Sequence, residues 1–176
     1  MLAIIAYNKA PMDSLIIFCA KYLLVFVVLG LVVAWLRVGR SYKLQFIAAV
    51  IVAGIAALVL SRIAGKLYYD PRPFVSHHTK PLIAHAADNG FPSDHALLTM
   101  TLTAVTYFYS KKVAAGMLVL TTIVGAARVL ADVHSPIDIG GAWLIGIIGA
   151  VAGYYVSRWA FAKYAHNEQK PVNPES

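Results

Sequence analysis

Residues 44–68 read LQFIAAVIVAGIAALVLSRIAGKLY, and this stretch decides the fold. Crossing a bilayer takes about 20 predominantly apolar residues in one helix. The stretch supplies them, with Arg62 and Lys66 as its only formal charges. It begins beside Lys43 and runs into the polar segment KLYYDPRPF, Lys66 to Phe74. Working outward, four more stretches take the same reading. One precedes it, from about Ser14 to Leu36, with Asp13 and Ser14 as a cap. Three follow, from Ser93 to Tyr109 (short for a span), from Val113 to Leu130 and from Pro136 to Phe161. Residues 1–10 suit a short helix lying in the membrane interface. The expected fold is all-α, a polytopic membrane helix bundle of about five transmembrane helices with that short N-terminal interfacial helix. Residues 1–165 form the transmembrane domain. Residues 166–176, polar and holding two prolines, form a flexible tail.

Composition points the same way. Hydrophobic residues make up 60% of the 176 and charged residues 13%, with a mean hydropathy of +0.69. A soluble domain has about 45–50% and about 25%. The net charge of +7 raises the possibility of nucleic-acid binding. The basic residues, however, sit at the ends of apolar runs, where a membrane protein needs them, and form no continuous stripe. Cys19 is the only cysteine, which excludes an intramolecular disulfide and a multi-cysteine metal site. The opening MLAIIAYNKAPMDS lacks a basic region ahead of its apolar part, so a removable signal peptide is not expected.

Five spans put the termini on opposite sides. Arg37, Arg40, Lys43, Lys111, Lys112, Arg158, Lys163 and Lys170 then share the C-terminal side, and the positive-inside rule makes that side cytoplasmic. Residues 69–92 and 131–135 face outside. Lys21 and Arg62 lie within apolar runs. Each either snorkels to an interface or serves the protein's function.

Three segments concentrate the unusual polarity: KLYYDPRPF at 66–74, FPSDHA at 91–96 and ARVLADVHSPID at 127–138. Span order places all three on one face of the membrane. Their contents suit phosphoryl chemistry. Lys66, Arg72 and Arg128 supply cations for phosphate oxygens. Pro92–Ser93 opens a helix whose first free N–H groups form an anion site. Metal-free transfer needs a nucleophile and an acid, and His134 and His95 are available. Asp138, four residues after His134, can hold one ring nitrogen and leave the other free. Each residue also has a plainer reading. Ser93 can cap a helix, Ser135–Asp138 can be a capping box, and the arginines can be interfacial anchors.

These segments resemble the type 2 phosphatidic acid phosphatase superfamily. Its signature is a Lys followed by Arg-Pro, then Pro-Ser-Gly-His, then Ser-Arg, five residues, His, three residues and Asp. Arg72-Pro73 and Pro92-Ser93-Asp94-His95 fall on the first two parts. Arg128, His134 and Asp138 keep the spacing of the third. Three departures stand out. Five residues, in place of six, separate Lys66 from Arg72; Asp94 replaces Gly; Ala127 replaces Ser. Pro-Ser-Asp-His, with Val-His-Ser-Pro-Ile-Asp, is similar to the undecaprenyl-diphosphatase, bacitracin-resistance branch.

The resemblance implies a metal-independent lipid phosphatase of the bacterial cell membrane, with no cofactor. In this scheme His134 is the nucleophile and forms a phosphohistidine, Asp138 orients it, and His95 protonates the leaving oxygen and then activates water. Lys66, Arg72, Ser93, Asp94 and Arg128 make up the substrate phosphate-binding set. Asp94 is expected to favour the protonated form of His95. The implied substrate is undecaprenyl diphosphate, and the implied partners are that lipid and the surrounding membrane lipids. Alternatives are a phosphatidylglycerophosphate or phosphatidic acid phosphatase, and a non-catalytic binder of lipid phosphates. His77, His78 and His85 match no defined metal-site spacing. The five glycines from Gly140 to Gly153 suit close helix packing.

Overall fold

The computed structural model describes residues 2–168. Helix α1 spans Leu2–Arg37, and a 3-10 turn, Arg40–Tyr42, leads into α2, Lys43–Leu67. After the single turn α3, Pro73–Ser76, come α4, Asp94–Tyr107, α5, Lys111–Leu130, and α6, Pro136–Glu168. Four segments are long and apolar enough to cross a membrane: Pro11–Arg37, Arg40–Leu67, Lys111–Leu130 and Pro136–Tyr164. Their outer faces leave side chains such as Ile51, Ile55, Leu118 and Leu144 exposed. That would be costly in water and is the natural arrangement against lipid tails. The protein is therefore a multi-pass membrane helix bundle. Residues 2–10, expected as a separate interfacial helix, continue α1 without a break through Pro11. Of the expected tail, residues up to Glu168 belong to α6, and the remainder lies outside the described residues.

The short third stretch has a different environment. At 14 residues, α4 rises about 21 Å, less than the roughly 30 Å of a hydrocarbon core. It nevertheless joins the two ends of the bundle. At one end the Ser93 amide donates to the Asp138 carbonyl at 3.3 Å. At the other, Phe108 stacks on Tyr154 with centroids 4.2 Å apart, and the Tyr109 hydroxyl donates to the Gln45 carbonyl. Helices α1, α2, α5 and α6 all pack on it. Walled off from lipid, α4 is free to carry threonines. Thr99, Thr101 and Thr106 donate their hydroxyls to carbonyls four residues earlier, and Thr103 pairs with Thr121 of α5 at 2.9 Å.

The glycines of α6 allow α2 to approach closely. A Cβ at Gly153 would collide with the Ala49 carbonyl oxygen, and one at Gly149 would lie 2.8 Å from that of Ala53. Gly146 meets the Thr101 backbone of α4 in the same way. Gly140 faces open space, so the packing account holds for most of the run and not for all of it.

Candidate functional site

The three polar segments meet at one end of the bundle. The last turn of α2, the 69–92 loop, the first turn of α4 and the 131–135 turn between α5 and α6 enclose a cleft of about 450 Å³. Lys66, Arg72, Asp94, His95, Arg128 and His134 all line it. A larger cavity of about 670 Å³ lies at the opposite end, beside Arg37, Tyr109 and Arg158, and none of these residues borders it.

His134 is the centre. Its Nδ1 lies 3.2 Å from Asp138 Oδ2. Its Nε2 lies 3.3 Å from Arg72 Nη1 and 3.3 Å from Arg128 Nη2. A guanidinium can only donate, so Nε2 presents its lone pair and the ring proton sits on Nδ1, donating to Asp138. Burial pushes the His134 pKa below its ordinary value, and Arg128 and Arg72 act in the same direction against the raising effect of Asp138. The ring is therefore neutral at pH 7, with its Nε2 lone pair turned toward the two guanidiniums that border the cleft.

The positions of these groups follow from local sequence. Ser135-Pro-Ile-Asp138 opens α6 as a reciprocal cap: the Ser135 amide donates to Asp138 Oδ2 at 2.9 Å, and the Asp138 amide to Ser135 Oγ at 3.2 Å. The same carboxylate that caps the helix holds the histidine, so the two readings of this segment describe one arrangement. Gly90 makes room for it, since a Cβ there would lie 2.8 Å from Asp138 Oδ2.

Arg72, Arg128, Ser93, His134 and Asp138 are 5%, 3%, 0%, 3% and 0% exposed, which excludes the interfacial-anchor reading of the arginines. Arg72 is held by Asp88 Oδ1 at 2.7 Å and by the Val133 carbonyl at 3.0 Å. The guanidinium keeps the Asp88 carboxyl below its usual range. Ser93 occupies the N-cap position of α4 without making the cap bond. Its buried Oγ and the Nε of Arg128 have no partner among the described residues. Unsatisfied buried polar atoms are costly, and Arg128 borders the cleft. The first-turn amides of α4 have no intrahelical acceptor, and Asp94 and His95 of that turn line the cleft.

Lys66 lines the cleft from the last turn of α2 and is exposed, without the direct approach to His134 that both arginines make. Asp94 lies exposed at the mouth. Its carboxylate repels a phosphate, so any contribution it makes to the phosphate set comes from its backbone amide. His95 departs from expectation. Among the protein's own groups its pKa falls to about 4, first through burial and then through Arg128 and His134. Asp94 acts in the expected raising direction but is outweighed.

Sequence reasoning missed Asn89 and Asp70. His85, one of the three loop histidines, lines the cleft, its ring nearly perpendicular to that of His134 with centroids 6.0 Å apart. His77 instead pairs with Asp132 at 3.1 Å, and Thr79 also donates to that carboxylate, so the three loop histidines do not converge. Asn89 secures the loop with one side chain. Its Oδ1 accepts from the Asp70 and Phe91 amides, and its Nδ2 donates to the Gly65 and Tyr68 carbonyls. Asp70 then accepts from Ser135 Oγ at 2.7 Å. The signal for both was present, since Asp70 lies in the quoted KLYYDPRPF and Asn89-Gly90 is a turn dipeptide directly before FPSDHA.

Because Ser93 makes no cap bond, its two possible roles separate. Ser93→Ala is expected to leave thermal stability in detergent unchanged and to lower kcat/KM for a lipid phosphate about tenfold, by removal of one donor to the phosphoryl group. Thermal unfolding and initial rates check this together.

Comparison with known proteins agrees with the geometry. The chain is 34% identical over 147 residues to the bacitracin transport permease protein BcrC of Bacillus licheniformis, covering 83% of this chain and 72% of the relative. It is 30% identical over 144 residues to the undecaprenyl-diphosphatase BcrC of Bacillus subtilis (strain 168), covering 82% and 74%. The crystal structure of Aquifex aeolicus LpxE superposes with a TM-score of 0.57 at 19% identity, over 81% of this chain and 93% of that one, and shares the fold. Residues 42–162, which contain every residue of the cleft named above, match the PAP2 superfamily, and the chain belongs to that superfamily.

Proposed function

We propose that the chain hydrolyses a polyprenyl diphosphate, undecaprenyl diphosphate by analogy with the Bacillus subtilis relative, to the monophosphate and inorganic phosphate. The observation that carries this reading is the unprotonated Nε2 of His134, approached by two buried guanidiniums and fixed from behind by Asp138.

The terminal phosphoryl group occupies the space in front of Nε2. Arg72 and Arg128 turn onto its oxygens, with Ser93 Oγ and the first amides of α4 completing the cradle. Nε2 attacks phosphorus, the bond to the bridging oxygen breaks, and the electron pair leaves with the lipid monophosphate. Asp138 stabilises the positive charge that develops on the ring. His95 gives its proton to the departing oxygen. It then takes one from water, which attacks the phosphohistidine and breaks the P–N bond. Since the protein's own groups leave His95 neutral at pH 7, its protonation is coupled to substrate. A phosphate anion beside it reverses the sign of the local field.

The pH dependence follows. His134 has a lowered pKa, so the neutral nucleophile is present above that value and is lost as pH falls through it. The acid limb of kcat/KM is expected below 6.5. Asp94 raises the pKa of His95, so Asp94→Asn lowers the alkaline limb and costs most activity at high pH. Matching pH–rate profiles for the two proteins would count against this role.

Basic residues at the far end of the bundle support a cytoplasmic C-terminus and a cleft facing the extracytoplasmic side. The direct test is phosphate release in detergent with excess chelator, comparing undecaprenyl diphosphate, phosphatidylglycerophosphate and phosphatidic acid. Preference for the diphosphate supports the reading, and better turnover of a glycerolipid keeps the mechanism and overturns the substrate. The Bacillus licheniformis relative is named a bacitracin transport permease, and the second, permease-like reading is of a cleft that binds a lipid phosphate without hydrolysing it.

A further inference from the structure

Arg62 is unaccounted for by the reaction as written. It stands five residues before the end of α2, within the apolar segment Arg40–Leu67. A charged side chain at such a depth is costly unless it faces a cavity or a partner. Arg62 does line the catalytic cleft. It makes no hydrogen bond or ion pair among the described residues. Lys66, one helical turn further on, projects from the same face of α2. The cleft thus holds two kinds of cation. Arg72 and Arg128 are buried and converge on His134, whereas Arg62 is unengaged among the described residues and springs from α2 about 6 Å further from the helix end than Lys66.

The substrate's own polarity matches that order. Along a polyprenyl diphosphate the sequence is terminal phosphoryl, bridging oxygen, inner phosphoryl, then an apolar tail that stays in the bilayer. With the terminal group in front of His134, the inner group lies between the cradle and the hydrocarbon. We infer that Arg62 forms a subsite for the inner phosphoryl of a diphosphate lipid and sets preference for a diphosphate over a monophosphate. A guanidinium there pairs two oxygens of the inner group in a fork. As the bridging bond breaks, negative charge grows on that group, so the contact strengthens toward the transition state and contributes to kcat as well as to binding. A monophosphate lipid places an alkoxy carbon at this position and gains nothing from Arg62.

The subsite rests on the proposed reaction, and the test separates the two. Wild type, Arg62→Ala and Arg62→Lys are assayed in detergent against undecaprenyl diphosphate and phosphatidic acid. In parallel, inhibition by inorganic pyrophosphate and by orthophosphate is measured with phosphatidic acid as the substrate. Arg62→Ala is expected to lower kcat/KM for the diphosphate about tenfold to a hundredfold, and to leave phosphatidic acid hydrolysis within about twofold. Pyrophosphate is expected to lose its advantage over orthophosphate, with Arg62→Lys between the two. Equal losses on both lipids, or unchanged diphosphate turnover, overturn the subsite and leave the phosphatase standing. If wild type hydrolyses phosphatidic acid but no diphosphate, the proposed substrate and the subsite fall together. Should Arg62→Ala unfold, the pyrophosphate-to-orthophosphate inhibition ratio of Arg62→Lys decides, and an unchanged ratio rejects the subsite.

Discussion

His134→Ala is expected to lower phosphate release at least about a thousandfold while leaving lipid binding in place. Among the described residues, Nε2 of His134 is the ring nitrogen that both Arg72 and Arg128 approach, each at 3.3 Å. His95 belongs to α4 and is the proposed acid. His85 lies on the exposed loop, its ring centroid 6.0 Å from that of His134. Removing the ring also removes a neutral acceptor from between Arg72 and Arg128, so the phosphate cradle keeps its charge and its affinity for an anion. Binding of a lipid phosphate followed by fluorescence or scintillation proximity, beside a phosphate-release assay, separates the two quantities. Retained turnover would remove His134 from the mechanism. Equal binding with no hydrolysis in both proteins would favour the permease-like reading.

Gly153→Leu is expected to have the largest effect on stability. The Cβ alone would collide with the Ala49 carbonyl oxygen and approach the Ala53 nitrogen to 2.7 Å, both backbone atoms of α2 that no rotamer change can move. Overpacking a well-packed interior costs about 1–3 kcal/mol, and here the whole contact between α2 and α6 must open. Lower yield in the membrane and a fall in apparent Tm in detergent are the expected results. Gly54→Leu and Gly116→Leu serve as controls, since a Cβ at either position meets nothing within 4 Å. If all three variants melted alike, the packing argument would fail.

The long spans are legible in the sequence because the bilayer imposes its own dimension on it. A run such as residues 44–68 suits a membrane-crossing helix and little else. The site segments are legible because polar residues at the ends of apolar helices are conspicuous, and span order alone places them on one face. What the sequence does not disclose depends on burial and contact across distant positions. Whether Ser93 caps its helix or keeps its hydroxyl free is not readable from Pro92-Ser93, because both arrangements need the same residues. Asp94 alone gives the wrong protonation for His95, since the dominant influences there are burial and Arg128, 33 positions further along the chain. The 74–91 loop has no periodicity to read, so the engagement of Arg72 by Asp88 and the fastening by Asn89 emerge only from the fold. The shortness of α4 is visible in its sequence, but its cause is not. A helix surrounded by other helices need not match the thickness of the bilayer.

The threonines of α4 have a consequence for how that helix is seated. Thr99, Thr101 and Thr106 turn their hydroxyls back onto their own helix, and Thr103 bonds Thr121 of α5. A donor satisfied within its own helix imposes no partner on a neighbouring one. At those three positions α4 is therefore seated by shape, while the Thr103–Thr121 bond gives it a fixed register against α5.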